Sequence, residues 1–385
     1  MAWLREQNWT PIDISQISSL RMEKISPYNN LNSYDFLDLL SNITLKDKVI
    51  FFRQLATMIS AGISITSSIN ILLQQTEKRK FKRILLKIAE RINSGLPLSV
   101  ALAEQQKYFG ILATSLVKAG EESGMLDISL NRISGFLESQ ENLRKKIISA
   151  LIYPIVVLVI SLMVLSVMCF IVIPKFQKAF ANLDIKMPWL TMKIFNFGVW
   201  LQLHWVIFMI SLFALILLGY FLTKLAAIKY QIDFIKLKIP IFGNIIYKAS
   251  ISRAFKTMAL LLKSGVPVLK AIELAGNVAG NEIVKKKFYL VRDAAGMGVT
   301  INAVMKEKRL FPAMVSYMVA VGEETGHTDE MLAKVAEWYE TELEETVKRL
   351  SSILEPVLVV LVGFIVGVIV LAIFLPIISA IQELT

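Results

Sequence analysis

The chain has 385 residues, of which 55% are hydrophobic, and its mean hydropathy is +0.57. Such a composition is too apolar for a soluble globular protein and is typical of a membrane protein with sizeable soluble parts. The formal net charge of +11 fits either a nucleic-acid partner or the lysine-rich and arginine-rich side of a membrane protein. The single cysteine, Cys169, excludes an intrachain disulfide.

The N-terminal third of the chain is predicted to be helical after a short arm. Residues 1–43 are weakly patterned and lack the apolar core of a signal peptide. Thr44 with Asp47 three residues later is typical of a helix N-terminus, and apolar residues then recur at helical spacing up to a break at Gly62. Strand patterns are scarce, so we predict an all-α bundle at 44–146.

Two copies of one pattern organise the chain. The first contains Gly120-Glu121-Glu122-Ser123-Gly124, a polar helical run, Tyr153-Pro154 and a charge-free apolar stretch. The second contains Gly322-Glu323-Glu324-Thr325-Gly326, a similar run, Glu355-Pro356 and another apolar stretch. The offset is 202 at both landmarks, 322 minus 120 and 356 minus 154. Self-similarity at a fixed offset predicts two homologous units, and we place the second at 245–350.

Three apolar stretches are long enough to cross a bilayer, which needs about 20 residues. We predict membrane helices at 151–173, 205–222 and 357–378, and none of them contains a charged side chain. A short loop at 174–204 connects the first two, and a tail at 379–385 follows the third. The middle helix has no counterpart in the repeat, so two crossings separate the units and return the second unit to the side of the first.

The flanking charges predict the orientation of the chain. The loop between the first two spans carries four lysines against one aspartate between Pro174 and Lys193, which slightly weakens the prediction. Basic residues are enriched in the cytoplasmic segments of membrane proteins, and this rule nevertheless predicts that both units and the N-terminus lie in the cytoplasm and the C-terminus in the periplasm. The basic residues on the side of the units are Arg144, Lys145, Lys146, Lys224, Lys229, Lys348 and Arg349.

The sequence lacks the common motifs of catalytic and cofactor sites. It has no phosphate-binding loop, no zinc-protease motif and no nucleophile elbow. His204 and His327 lack neighbours at ligand spacing, so each is interpreted as an ordinary polar residue. The predicted spans contain no ionisable Asp, Glu, Lys, Arg or His, which argues against a transporter, a pump and an intramembrane protease. We therefore predict no catalytic residue, no cofactor and no metal.

The acidic segments allow three interpretations. In Glu121-Glu122 and Glu323-Glu324 the two acids are adjacent, and adjacent side chains diverge on a helix, so they are not expected to share a proton. The simplest interpretation is a solvated helix–loop junction whose backbone geometry requires the glycines Gly120, Gly124, Gly322 and Gly326. Gly124 is expected to end its helix in the left-handed conformation. A partner-docking surface is the functional alternative, and a divalent cation is the third.

Prolines and glycines mark the predicted membrane helices. Pro154 and Pro356 lie just inside their spans and are expected to kink or loosen the helix there. Gly363 and Gly367 form a GxxxG pattern, which allows another helix to approach closely. Whether that helix belongs to this chain or to a neighbour stays open.

At these residues the chain resembles the polytopic inner-membrane platform proteins of type II secretion and type IV pilus assembly, the GspF/PilC type. The resemblance rests on the two Gly-Glu-Glu-Ser/Thr-Gly segments, Tyr153-Pro154, Glu355-Pro356, the turn Gly265-Val266-Pro267 and the order unit, two spans, unit, span. It covers about Leu45 to the C-terminus. Proteins of this type usually begin with a longer segment, and residues 4–11 look like its middle.

The resemblance implies a bacterial inner-membrane protein without catalysis of its own. It implies contacts with a hexameric cytoplasmic secretion ATPase, with pilin or pseudopilin subunits, with other inner-membrane assembly proteins and with further copies of the chain. It also suggests that the helices from about Asp127 and Thr328 run into spans one and three as stiff rods. From the residues alone, a transporter or channel component stays open, as does a membrane-tethered nucleic-acid binder motivated by Lys78–Arg83, although we expect no direct nucleic-acid contact.

Overall fold

The computed structural model describes residues 42–181, 188–224 and 226–384. Nearly all of the predicted arm, 1–43, lies outside these residues. Within them the chain forms helices and no strand, which confirms the prediction of an all-α protein.

The first bundle begins at the predicted cap. The Thr44 hydroxyl accepts a hydrogen bond from the Asp47 amide, and the Asp47 carboxylate accepts one from the Thr44 amide at 2.7 Å. These reciprocal bonds satisfy two amides that the first helical turn leaves without partners. The helices of this bundle are α1 (Leu45–Ser60), α2 (Ile65–Gln75), α3 (Arg79–Asn93), α4 (Leu98–Glu104), α5 (Gln106–Phe109) and α6 (Ile111–Ser123).

A long helix, α7 (Leu126–Val167), leaves the first bundle and continues without interruption into the first apolar stretch. A π-helical segment at Met168–Val172 follows, and then α8 (Ile173–Ala181). The π segment lies directly before Pro174, which has no amide hydrogen and whose ring would crowd the carbonyl of Phe170 in a regular helix. A local widening of the helix is the expected response to that proline.

The middle membrane helix is longer than predicted. Helix α9 (Trp189–Lys224) has 36 residues, and α10 (Ala226–Lys238) begins soon after it. Within the segment 174–204, where we predicted a short loop, the described residues 174–181 and 189–204 are helical. The prediction followed the apolar composition alone, and composition does not show that the polar ends of a membrane helix continue its hydrogen bonding.

The second bundle repeats the first and ends in a helix of 57 residues. Its core contains the pair Phe255–Phe311, with ring centroids 5.3 Å apart, where the first bundle has Phe52–Phe109 at 5.7 Å. The helices are α11 (Phe242–Lys263), α12 (Val268–Val278), α13 (Glu282–Gly296), α14 (Ile301–Glu307), α15 (Ala313–Thr325) and α16 (Thr328–Leu384).

Among the residues that the structure describes, three helical stretches are long and apolar enough to cross a membrane: Leu126–Phe176, Gln202–Gly219 and Thr328–Ile378. Their most apolar windows are 0%, 0% and 17% buried within the described chain, so the spans present most of their surface outward. Neither Pro154 nor Pro356 ends its helix, and the predicted loosening stays a prediction. The predicted C-terminal tail is a continuation of α16 up to Leu384 rather than a separate segment.

Candidate functional site

The first glycine of each repeated acidic segment allows two helices to touch. At Gly120 in α6, an added methyl carbon would lie 2.5 Å from Oγ and 2.7 Å from Cβ of Ser129 in α7. At Gly322 in α15, it would lie 2.8 Å from Cα of Thr328, the first residue of α16. Both distances are far inside van der Waals contact. Glycine is therefore required at each position for a bundle helix to pack against the start of a long helix.

The first glutamate of each segment caps a distant helix. Glu121 accepts hydrogen bonds from the amides of Leu98 at 2.6 Å and Ser99 at 3.2 Å, at the start of α4. No side chain of the local N-cap residue, Pro97, performs this role. A negative charge at a helix N-terminus also interacts favourably with the helix dipole.

The second copy repeats this arrangement. Glu323 accepts hydrogen bonds from Ile301 at 2.7 Å and Asn302 at 3.0 Å, at the start of α14, and Thr300 provides no side-chain cap. Glu121 and Glu323 are both half-buried. Their oxygens therefore hold their own bundles together, and this is a structural role.

The second glutamate of each segment has a different environment. Glu122 and Glu324 are exposed, and Glu122 lies 3.8 Å from the Lys118 ammonium one helical turn earlier. Within the described ranges, no group of three or more His, Cys, Asp or Glu is placed to hold a metal ion. The role of these two exposed acids in partner docking stays a prediction.

The last glycine of each segment ends its helix in the left-handed conformation, as predicted for Gly124. The φ angles are 71° at Gly124 and 76° at Gly326. The five residues thus form a joint, which we define as Gly120–Gly124 and Gly322–Gly326. Each joint connects three helices: the helix that carries it, the short helix that its first glutamate caps, and the long helix that follows.

The long helices α7 and α16 lie side by side and run in the same direction. Their contacts join residues at or near the repeat offset, since the partners are separated by 198 to 202 positions. Equivalent residues of the two copies therefore face each other, as across a two-fold axis. The bonds are Ser139 hydroxyl to Glu340 at 2.8 Å, Lys146 to Glu344 at 2.6 Å, Ser351 hydroxyl to the Ala150 carbonyl at 2.8 Å, and Tyr153 hydroxyl to Glu355 at 3.1 Å.

The first helix of each bundle is tied to its long helix by an equivalent ion pair. Arg53 of α1 pairs with Glu138, and Lys256 of α11 pairs with Glu340 at 2.7 Å. Lys256 also donates to Ser139 of the other copy, so the second pair joins both long helices. These charges fix the two bundles to the helix pair rather than to each other.

A second lysine of α11 strengthens this connection. Lys248 donates to the Glu342 carboxylate at 2.8 Å and to the Thr346 hydroxyl at 3.0 Å. The hydrogen bond and charge of Lys248 hold the pKa of Glu342 below its ordinary value. Glu342 is therefore ionised throughout the physiological range.

A crevice of about 650 Å³ opens between the two long helices and α11. Its lining contains basic groups from Arg132, Lys256 and Lys263 and acidic groups from α16. Arg132 bridges the two copies by donating to the Ser264 hydroxyl at 2.8 Å. The acidic lining residues are Asp329, Glu330, Glu337, Glu340 and Glu344. The crevice therefore has charged groups of both signs in its lining.

The membrane helices enclose an apolar cavity of about 670 Å³. It lies among α7, α9 and α16 and includes Cys169 and Trp205. At one end of the cavity, the Thr191 hydroxyl of α9 donates a hydrogen bond to the Ala372 carbonyl of α16 at 2.9 Å and so joins these two helices. An added methyl at Gly363 or Gly367 meets no described atom within 4 Å, so the GxxxG pattern faces away from the described chain.

The comparisons with known proteins agree with this duplication. The sequence matches the family described as type II secretion system (T2SS) protein F over residues 51–174 and 254–376, once in each half and together over more than half of the chain. It is 37% identical over 342 residues to the type IV pilus assembly protein PilC of Thermus thermophilus, covering 89% of this chain and 84% of that protein.

Two further relatives are one type IV pilus protein and one type II secretion protein. The type IV pilus assembly protein PilC of Pseudomonas aeruginosa is 32% identical over 335 residues, covering 86% of this chain and 89% of that protein. The type II secretion system protein F of Xanthomonas campestris is 30% identical over 329 residues, covering 85% of this chain and 80% of that protein. With three apolar helices, these relatives support a multi-pass membrane protein.

Substituting Gly120 by alanine should destabilise the first joint. The new methyl overlaps Ser129, and overpacking of this kind costs about 1–3 kcal/mol. Gly135→Ala in α7 is the matched control, because a methyl there meets nothing within 4 Å and alanine favours a helix by about 1 kcal/mol. Denaturant unfolding of the detergent-solubilised protein measures both. Equal stability of the two variants would contradict the close approach of α6 and α7.

Substituting Glu121 by alanine should remove the cap of α4. Hydrogen bonds to a charged acceptor contribute about 1.5–3 kcal/mol, so we expect a loss of that size in the free energy of unfolding. The exposed neighbour provides the control, since Glu122→Ala should change stability by no more than about 0.5 kcal/mol. If Glu122→Ala were the more destabilising change, the assignment of capping to Glu121 would be wrong.

Proposed function

Because this chain belongs to the family of type II secretion system protein F, we propose that it is an inner-membrane platform protein of a type IV pilus or type II secretion machine. It couples a cytoplasmic assembly ATPase to the polymerisation of pilin or pseudopilin subunits. It carries out no catalysis itself, so the energy comes from the ATPase. The similarity to pilus assembly proteins and to a secretion system protein supports this proposal.

The observation that carries the proposal is the continuity of the two long helices. Helix α7 has 42 residues and α16 has 57, and each begins at a joint in a bundle and continues into an apolar span. A regular helix rises about 1.5 Å per residue, so α7 extends roughly 60 Å. A displacement of either bundle reaches the membrane through one uninterrupted helix, which contains Pro154 or Pro356, and not through a flexible linker.

The in-register contacts make the two rods move together. The polar bonds from Ser139 to Tyr153 join α7 to equivalent positions of α16, and the Lys256 bridge joins both rods to α11. Force applied to one bundle is therefore shared by both spans. Such a device suits a protein that converts a movement on one side of the membrane into a movement within it.

The partners dock at different levels of the molecule. We place the ATPase at the bundles, where Glu122 and Glu324 are exposed, and the pilin or pseudopilin helix at the spans, which are largely unburied. The face with Gly363 and Gly367 meets no described atom and serves packing against a further membrane helix, either of a second copy or of another assembly protein.

We propose an orientation from the number of crossings and the flanking charges. Two spans between the bundles support a common side for both bundles, and the basic flanks favour the cytoplasm for that side. The N-terminus is then cytoplasmic and the C-terminus periplasmic.

A flexible insertion should separate docking from assembly. Inserting a short Gly-Ser turn after Lys146 interrupts α7 and shifts the Lys146–Glu344 contact, so we expect pilus or pseudopilus assembly to be lost. The ATPase should still co-purify, because the bundles remain folded. The same insertion after Gly298, in the exposed turn between α13 and α14, is the control and should preserve assembly. Normal assembly with the first insertion, at equal protein levels, would contradict the rod mechanism.

Cysteine labelling tests the orientation. In a Cys169→Ser background, Met125→Cys reports on the first bundle and Met297→Cys on the second, since both side chains are exposed. A membrane-impermeant maleimide should label both in inside-out vesicles and neither in intact spheroplasts, whereas Trp189→Cys should show the reverse. Labelling of the two bundles from opposite sides would overturn the parity argument.

A further inference from the structure

Helix α10 turns its polar face toward its own protein. It begins directly after the middle membrane helix, and its Asp233 is 3% exposed. The Asp233 carboxylate accepts hydrogen bonds from the Glu282 amide at 3.1 Å and from Lys236 at 3.0 Å, and Lys229 reaches Glu282 at 2.6 Å. The charged residues of α10 thus cap and clamp the N-terminus of α13.

The opposite face of α10 and the turn after it are apolar and exposed. A surface helix in water normally has the reverse arrangement, with its apolar side on the core. An outward apolar face of this size is stable where the surrounding medium is itself apolar. The side chains and their exposed fractions are Tyr230 46%, Phe234 44%, Ile235 59%, Ile239 43%, Ile241 47% and Phe242 50%.

The register of α11 against α16 places this face at the level of the membrane. Lys256 of α11 bonds Glu340, whereas Lys248, eight positions earlier, bonds Thr346. The helices are therefore antiparallel, and the beginning of α11 at Phe242 lies near the point where α16 enters its apolar span. The α10 face, which leads into this turn, thus lies near the level at which α16 enters the membrane.

Two lysines lie beside the aromatic rings of this face. The Lys238 ammonium is 4.5 Å from the Phe234 ring centroid, and the Lys286 ammonium of α13 is 5.7 Å from that of Tyr230. Aromatic rings accompanied by lysines are typical of the boundary between acyl chains and headgroups. The positive charges complement the phosphates of anionic lipids.

A strained turn keeps the apolar side chains outward. Ile241 has φ 69° and ψ −57°, and the Phe242 amide donates to the Pro240 carbonyl at 2.8 Å. This is the rare form of the γ-turn, which a β-branched residue adopts only under constraint. The next residue, Gly243, is buried against the Leu237 carbonyl and leaves no room for a side chain. The turn therefore directs Ile241 and Phe242 away from the bundle.

We propose that α10 and the turn at 239–242 form an interfacial anchor that binds anionic phospholipid at the membrane surface on the side of the bundles. The apolar face enters the headgroup boundary, and Lys238 and Lys286 bind lipid phosphates. Through Asp233 and Glu282 the anchor fixes α13, and with it the second bundle, to the bilayer.

Spin labels on the full chain in nanodiscs test this anchor. In a Cys169→Ser background, labels at Ile235→Cys and Phe242→Cys should show a several-fold higher ratio of oxygen to nickel-chelate collisions than a label at Met297→Cys. Met297 is the matched control, since it is exposed but lies at the far end of α13. A collision ratio equal to that of the Met297 label would overturn the proposal. Exclusion of both oxygen and the nickel chelate would also overturn it, because this would indicate that a second copy or another protein covers the face.

The lipid requirement needs a second comparison. The ratio at Ile235→Cys should fall when phosphatidylglycerol nanodiscs are replaced by phosphatidylcholine nanodiscs. This difference should disappear in Lys238→Gln combined with Lys286→Gln, neither of which contributes to the α13 cap. A high ratio that depends neither on the headgroup nor on the lysines would overturn the anionic-lipid assignment.

Discussion

The register between the two long helices is the constraint on which the rest of the structure depends. Each helix is continuous from bundle to membrane, so any shift between α7 and α16 would move both a bundle and a span. The polar contacts at and above the membrane boundary fix this register because each has a specific partner, such as Tyr153 with Glu355. Apolar packing alone would tolerate sliding by one turn, since one turn of an apolar helix face resembles the next.

The joints transmit this register to the bundles. In Gly120–Gly124 the first glycine permits contact, the first glutamate caps a distant helix, and the last glycine reverses the chain direction. Of the two glutamates, the second is the exposed one. A segment that looks like a surface acid cluster is thus mainly a piece of internal architecture, and this explains why its residue types occur in both copies.

Much of the fold could be predicted from the sequence because its signals are local. The Thr44 cap, the break at Gly62 and the left-handed Gly124 depend only on neighbouring residues. The target of Glu121 could not be predicted, because the capped amides lie 22 and 23 positions earlier and meet it only after the bundle has folded. Helical periodicity also could not show that α10 has its charged face inward, since a period reveals two faces but not which one meets the protein.

The pairing of Tyr153 with Glu355 has a consequence for the origin of the chain. These residues occupy equivalent positions of the two copies, yet they are different and complementary. A pairing of two copies of the first half would bring tyrosine against tyrosine. A pairing of two copies of the second half would bring two carboxylates together, and their repulsion grows as water is excluded. The two halves are therefore no longer equivalent, and neither can replace the other. Their covalent linkage keeps them at equal stoichiometry and at high effective concentration at any level of expression.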